Sequence, residues 1–410
     1  MREMKDSGVE WIGEIPKDWN CMRLKFAFGN SNVGESVDKE LYSSDENGYI
    51  FYTAGANPVK TSYTEFPMWK YTTDNDILLA RNGTPYIYLP SKDAVYSDHI
   101  IRINIKDGYC RRFLRYCLQR SIESIIVDSV SIATWSISLW KEQKLPLPYY
   151  HEQKYLADYL DVKCSKIDVI IEKQQAIIEK LKEYKLSIIN EAVTQGINPD
   201  VNMKQSGYKW IGSIPEHWNM VYAKQLFSQR KDRAFEDDEQ LTASQKYGII
   251  SQKEFMDIEG RQVMQVLKGE EILKHVEKGD FVISMRSFQG GLEYSEVSGK
   301  ISSAYVMLIP NRDKVCDRYY KWLFKSKKYI SALQGTSNLI RDGQALRFSN
   351  FVQVYLPSLD LDEQKKIADY LDDVCPKIDN EIEKREKLLE KVLEYKKSLI
   401  YEVVTGKKEV

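Results

Sequence analysis

The chain reads as an α+β protein with a pseudo-twofold tandem repeat: two α/β domains joined by two long antiparallel coiled-coil helices. Three observations predict this. Ser7-Gly8-Val9-Glu10-Trp11-Ile12-Gly13-Glu14-Ile15-Pro16-Lys17-Asp18-Trp19 returns as Ser206-Gly207-Tyr208-Lys209-Trp210-Ile211-Gly212-Ser213-Ile214-Pro215-Glu216-His217-Trp218. Glu152-Gln153-Lys154, Ala157-Asp158-Tyr159-Leu160-Asp161, Cys164 and Lys166-Ile167-Asp168 return as Glu363-Gln364-Lys365, Ala368-Asp369-Tyr370-Leu371-Asp372, Cys375 and Lys377-Ile378-Asp379. After each copy of that second motif, apolar residues recur at alternating spacings of three and four, the coiled-coil period. A duplicated chain suits a pseudo-twofold target, and duplex DNA is a common one.

Taken in chain order, the repeats divide the sequence into a conserved segment at 1–19, a domain at 20–150, and a central helix with its linker at 151–205. A second conserved segment and domain follow at 206–360, then a C-terminal helix at 361–410. The opening residues contain no apolar h-region of a secretory signal, and no run of 18 apolar residues suggests a membrane span. Six cysteines without a C-x-x-C pair fit structural thiols in a reducing cytoplasm. A hydrophobic content of 43% with 29% charged residues is ordinary globular composition. The net charge of −1 excludes a uniformly basic nucleic-acid binder, but not one with a local basic face.

The two domain segments resemble each other only faintly. Asp76-Ile77-Leu78-Leu79-Ala80-Arg81 parallels Asp280-Phe281-Val282-Ile283-Ser284-Met285, and each predicts a buried strand running into a loop. Arg112-Phe113-Leu114-Arg115-Tyr116 parallels Arg318-Tyr319-Tyr320-Lys321-Trp322 as a basic helical stretch. Each segment closes on a Pro-marked strand, around Pro146 and Pro357. Mixed α/β domains with mainly antiparallel sheet follow.

The first long helix is expected over 165–193, with a seam of Ile167, Ile171, Gln174, Ile178, Leu181, Lys185 and Ile188. The second is expected over 376–404, with Ile378, Ile382, Arg385, Leu389, Val392, Lys396, Leu399 and Val403. Pro376 suits a first helical turn; Gly196 and Gly406 lie just past the ends. Each stripe is too apolar to remain wet, so the helices pair with one another or each packs on its own domain. Burying about six large side chains per helix contributes on the order of 10 kcal/mol before entropy. Antiparallel pairing would bring the end of the last helix near residues 7–19.

These motifs resemble the DNA-specificity (S) subunit of type I restriction-modification systems. W-I-G-x-I-P-x-x-W occurs twice, and so does the strand-to-helix passage ending E-Q-K-x-x-A-x-Y-L-D. Tyr155 and Leu156 stand where the second copy has Lys366 and Ile367. The resemblance implies a non-catalytic subunit with two target-recognition domains on a bipartite double-stranded DNA site. The helices would set the gap between unlike half-sites. Two methyltransferase subunits would dock, and two restriction subunits could join them. S-adenosylmethionine, ATP and Mg would belong to those partners, and this chain would carry no cofactor or metal.

Arg to guanine and Asn or Gln to adenine are efficient major-groove pairings. The candidate base readers are therefore Arg81, Asn82 and Thr84 in the first domain, and Arg286, Ser287 and Gln289 in the second. The loops before the closing strands add Trp135 and Ser136, and Arg341, Gln344 and Arg347. Arg112, Arg115, Lys321 and Lys325 are candidate phosphate contacts, or simply a solvated helix face. Trp11, Ile12, Trp210 and Ile211 read as core anchors. Alternative readings are a self-contained DNA methyltransferase or nuclease, and a protein scaffold that ignores DNA. Neither a phosphate-binding G-x-x-x-x-G-K-[ST] loop nor G-x-G-x-x-G occurs, and the four His make no zinc set. Glu152-Gln153-Lys154 has the E-x-K shape of nuclease sites, yet acidic residues at a helix entry also suit the dipole.

Overall fold

A computed structural model describes residues 2–43, 48–126, 134–260, 272–336 and 346–410, with backbone only at 123–126. The chain divides into two compact units. One combines Met1–Gln175 with Lys387–Val410, and the other is Ala176–Glu386.

In the first unit, the conserved segment folds as a hairpin, Met4–Asp6 against Glu14–Pro16. The strand Asn20–Arg23 then pairs antiparallel with the closing strand Lys144–Leu147. The central sheet runs in the order Phe28–Val33, Ile100–Ile105, Asp76–Ala80, Ile87–Tyr88, all antiparallel. Asp76–Ala80 is buried at every position, which is why its sequence is a continuous apolar run rather than an alternation. Its one charge, Asp76, accepts from the Thr73 amide at 2.6 Å and from Asn104 Nδ2 at 2.9 Å, so the buried carboxylate is satisfied. A second sheet, Val95–Tyr96, Tyr49–Tyr52, Val59–Thr61, Tyr42–Ser43, has one parallel pair at its Val95 edge.

The second unit repeats this frame. Met203–Gln205 pairs with Ser213–Pro215, and Asn219–Val221 with Leu356–Ser358. Its central sheet is Phe227–Arg230, Val306–Pro310, Phe281–Ile283, Glu293–Tyr294. The divergence lies in the additions. Two separate ladders, Leu241–Ser244 with Gly248–Ser251 and Lys274–Val276 with Gly299–Ile301, stand where the first unit has one four-stranded sheet. The core here is aromatic: Phe227 meets Phe281, Tyr320, Phe324 and Phe351 at 5.2–5.7 Å between ring centroids. Edge-on pairs of this kind contribute about 0.5–1.5 kcal/mol each beyond burial.

The long helices are Tyr150–Gln195 and Leu361–Val404, of 46 and 44 residues. Both begin well before the starts expected at 165 and 376. Pro376 therefore lies inside a helix and not in a first turn. The E-Q-K-x-x-A-x-Y-L-D passage is the missing first part of each rod. In the first unit Leu156, Ala157, Leu160, Cys164 and Ile167 share one core with Leu399, Ile400, Val403 and Val404 and with domain residues such as Phe113 and Trp140. Mutual pairing and packing on the domain thus coexist. Lys396 bonds to Asp168 in this unit. In the second unit Lys185 bonds to Asp379 at 2.6 Å and Lys182 lies 3.6 Å from Glu386; the rising and falling numbers mark antiparallel chains. The expected seam residues are all buried or half-buried, while Lys182, Glu183 and Tyr184 between them are exposed.

The end of the last helix does meet the N-terminal segment. Tyr401 Oη and Lys407 Nζ both donate to the Ile12 carbonyl, at 3.1 and 2.8 Å. Ile12, Ile15 and Trp19 are buried, as are Ile211, Ile214 and Trp218. Trp11 and Trp210 are only half-buried.

Candidate nucleic-acid interface

Two repeated side chains hold each domain to its helix. Glu152 accepts the Trp19 indole N–H at 3.0 Å, and Glu363 accepts that of Trp218 at 3.1 Å. Gln153 accepts the Cys110 amide at 2.9 Å and donates to the Pro148 carbonyl. Gln364 accepts the Cys316 amide at 2.7 Å and donates to the Lys314 and Leu359 carbonyls. The E-Q dipeptide thus ties the second Trp of the conserved segment and the entry of the basic helix to one rigid rod. Neither the Trp clamp nor the amide clamp followed from motif reading. Their survival in both copies, among loops that diverged, was the available signal. The E-x-K resemblance to a nuclease is accounted for by this bonding.

In the first domain the two candidate loops converge. Trp135 N donates to the Arg81 carbonyl at 2.6 Å, and Asn82 forms an isolated bridge with Thr134. Arg81 Nη1 donates to the Asp98 carbonyl at 3.1 Å, and Asn82 Nδ2 lies 3.1 Å from His99 Nδ1. Thr84 and Ser136 are exposed, and Arg81 and Asn82 are partly so. Ser136 also caps the helix Ile137–Glu142 by accepting from the Leu139 amide. The expectation for Trp135 is corrected. The residue is 2% exposed, its ring lies tilted 5.8 Å from that of Trp140, and its indole N–H donates to the Gly83 carbonyl. It fastens the two loops together from beneath.

In the second domain Arg286 and Gln289 are exposed. Ser287 is the second correction: it is fully buried, with Oγ accepting from the Ser284 amide at 2.8 Å, and so shapes the turn that presents Arg286. Arg341 and Gln344 lie outside the described residues. Arg347 is exposed and borders a groove with Lys224 and Lys274.

The cations of the basic helices face carboxylates. Arg112 bonds to Asp158 and Asp161, both at 2.6 Å; its repeat mate Arg318 bonds to Asp369 and Asp372. Lys321 bonds to Glu296 at 2.8 Å and Lys325 to the buried Glu293. These charges are neutralised within the fold, and Arg112 and Arg318 anchor domain to helix. Arg115 lies against the Tyr116 ring.

The fold defines a class of protein: paired α/β recognition domains, made by duplication, on two shared helices. Residues 16–183 and 215–391 each match the type I restriction modification DNA specificity domain, and the chain belongs to that family. It is 25% identical to the putative type I restriction enzyme MjaX specificity subunit of Methanocaldococcus jannaschii, over 97% of this chain and 95% of the relative. It is 24% identical to the MjaVIII specificity subunit of the same organism, over 96% and 93%. Among solved structures, one chain from work on complex assembly and conformational transition of the type I R-M system superposes with a TM-score of 0.65. That match has 13% identity and covers 96% of this chain and 99% of that one. The matched domain is one of DNA specificity and not of catalysis. Among the described residues no helix is long and apolar enough to cross a membrane.

Proposed function

We propose that this chain is the DNA-reading subunit of a cytoplasmic type I restriction-modification complex. It reads a bipartite, asymmetric double-stranded site, one half per recognition domain, and the helix pair fixes the unread gap. The recognition domains correspond to 20–150 and to the part of 206–360 that follows its conserved segment. Base reading falls to Arg81, Asn82, Thr84 and Ser136 in one domain and to Arg286, Gln289 and Arg347 in the other. The observation that carries this reading is a conserved frame repeated twice while the exposed loop residues differ: Arg81-Asn82 in one copy has no counterpart in Met285-Arg286. Different loops on equal frames call for unlike half-sites.

The repeated frame also supports two methyltransferase subunits as partners. Tyr184 and Tyr395 are repeat mates, and they are 58% and 56% exposed on the helices. Two equal apolar handholds fit two copies of one partner better than a single partner. Restriction subunits would join the same assembly, and S-adenosylmethionine, ATP and Mg would be bound by those partners. Co-expression of the chain with its methyltransferase, followed by sequencing of modified DNA, tests the reading. A split motif with methyladenine in both halves is expected; a continuous or palindromic motif would overturn it.

A further inference from the structure

The second domain holds a cationic groove. It encloses about 600 Å³, and Lys224, Lys274, Arg347, Gln229 and Ser349 are among its walls, with no Asp or Glu lining it among the described residues. Lys274 Nζ donates to the Tyr305 carbonyl at 2.7 Å, and burial pushes its pKa down. Lys224 lies 6.0 Å from the Phe348 ring. Several other cations of this unit have carboxylates: Arg230 with Asp280, Arg312 with Asp317, Arg318 with Asp369, Lys325 with Glu293. A half-buried ammonium that meets only a carbonyl is costly to keep charged unless an anion joins it.

The first domain supplies the comparison. Lys25 occupies the place of Lys224 in the turn after the first domain strand, and there Glu142 sits 2.9 Å away. Lys70 precedes Asp76 by as many residues as Lys274 precedes Asp280, and it lies 3.0 Å from Glu35. Ser136 is the repeat mate of Arg347; both are N-cap residues of the short helix before the closing strand. At these sequence positions one domain holds acid-paired or neutral groups, and the other holds cations without a carboxylate partner among the described residues, Lys70 ending a short helix where Lys274 begins a strand.

We infer that the groove of Lys224 and Lys274, beside the proposed base reader Arg347, binds the phosphodiester backbone of duplex DNA, and that the first domain has no such track among its described residues. This rests on the DNA-reading function proposed above and adds an asymmetry to it: the second domain takes more of its affinity from phosphate.

The test measures DNA binding of the full chain with its methyltransferase, on a mixed-sequence duplex, as a function of salt. Each phosphate contact contributes about 0.9 to the slope of log affinity against log salt. K224Q combined with K274Q should lower that slope by roughly 2 and leave the modified sequence unchanged. K25Q combined with K70Q should leave the slope as it is, and thermal melting of each variant reports whether it folds. An unaltered slope in folded K224Q/K274Q overturns the groove while DNA reading stands. Absence of any wild-type binding to DNA would instead refute the function itself.

Discussion

At the residue scale, the conserved positions act as joints between chain segments distant in sequence. Gly406 shows how tight one joint is. Its φ is +72°, and a Cβ there would lie 2.5 Å from Pro16 and 3.1 Å from Trp19. Its mate Gly196, at φ +80°, would place a Cβ at 3.6 Å from Trp218 and 3.7 Å from Glu363, ordinary contact distances. Both substitutions to Ala incur the left-handed backbone penalty of about 1 kcal/mol. Gly406→Ala adds a clash with the buried Pro16 ring. Gly406→Ala should therefore destabilise the chain by about 2–4 kcal/mol and Gly196→Ala by about 1 kcal/mol. Chemical denaturation of both variants measures the difference, and equal losses would mean that Pro16 yields.

At the element scale, the seam was legible because helical periodicity is a local property of the sequence. Ile167, Ile178, Ile188, Ile378, Ile382 and Leu399 are all buried. The helix starts were not legible. The rods open with small or polar residues on the stripe, Gln153, Ala157 and Cys164 in one and Gln364, Ala368 and Cys375 in the other, all buried, so the three–four spacing runs on but its apolar signal is weak. Pro376 compounded this by suggesting a beginning. The loops proposed to read bases were legible only as residue types. The pairing of Asn82 with Thr134 joins segments with no shared pattern, and burial of Trp135 and Ser287 depends on neighbours remote in sequence. Pro376 itself carries a prediction. It is exposed, offers no amide to the helix, and its repeat mate is Ser165. Pro376→Ser restores the missing hydrogen bond. It should stabilise the chain by about 1–3 kcal/mol, seen as a higher denaturation midpoint with an unchanged slope. No gain would mean that the helix is already accommodated around the ring by a compensating local bend.

At the scale of the whole molecule, the duplication gives each compact unit helix segments from both rods. The unit boundaries fall after Gln175 in one helix and after Glu386 in the other. Those two points are where the length of the spacer can be changed without touching either domain. A heptad inserted at both keeps the apolar seam in phase, since seven residues are two coiled-coil turns. It lengthens each rod by about 10.5 Å, or about three base pairs of duplex at roughly 3.4 Å each. If the helices set the unread gap, the modified site should keep both half-sequences and gain about three base pairs between them. Three base pairs also rotate one half-site by nearly a third of a turn, so modification should slow. Sequencing of modified DNA from cells carrying the extended chain reads both quantities. Altered half-sequences with an unaltered gap would contradict a spacer role, because the loops proposed to read bases are untouched by the insertion and only the distance between them has changed.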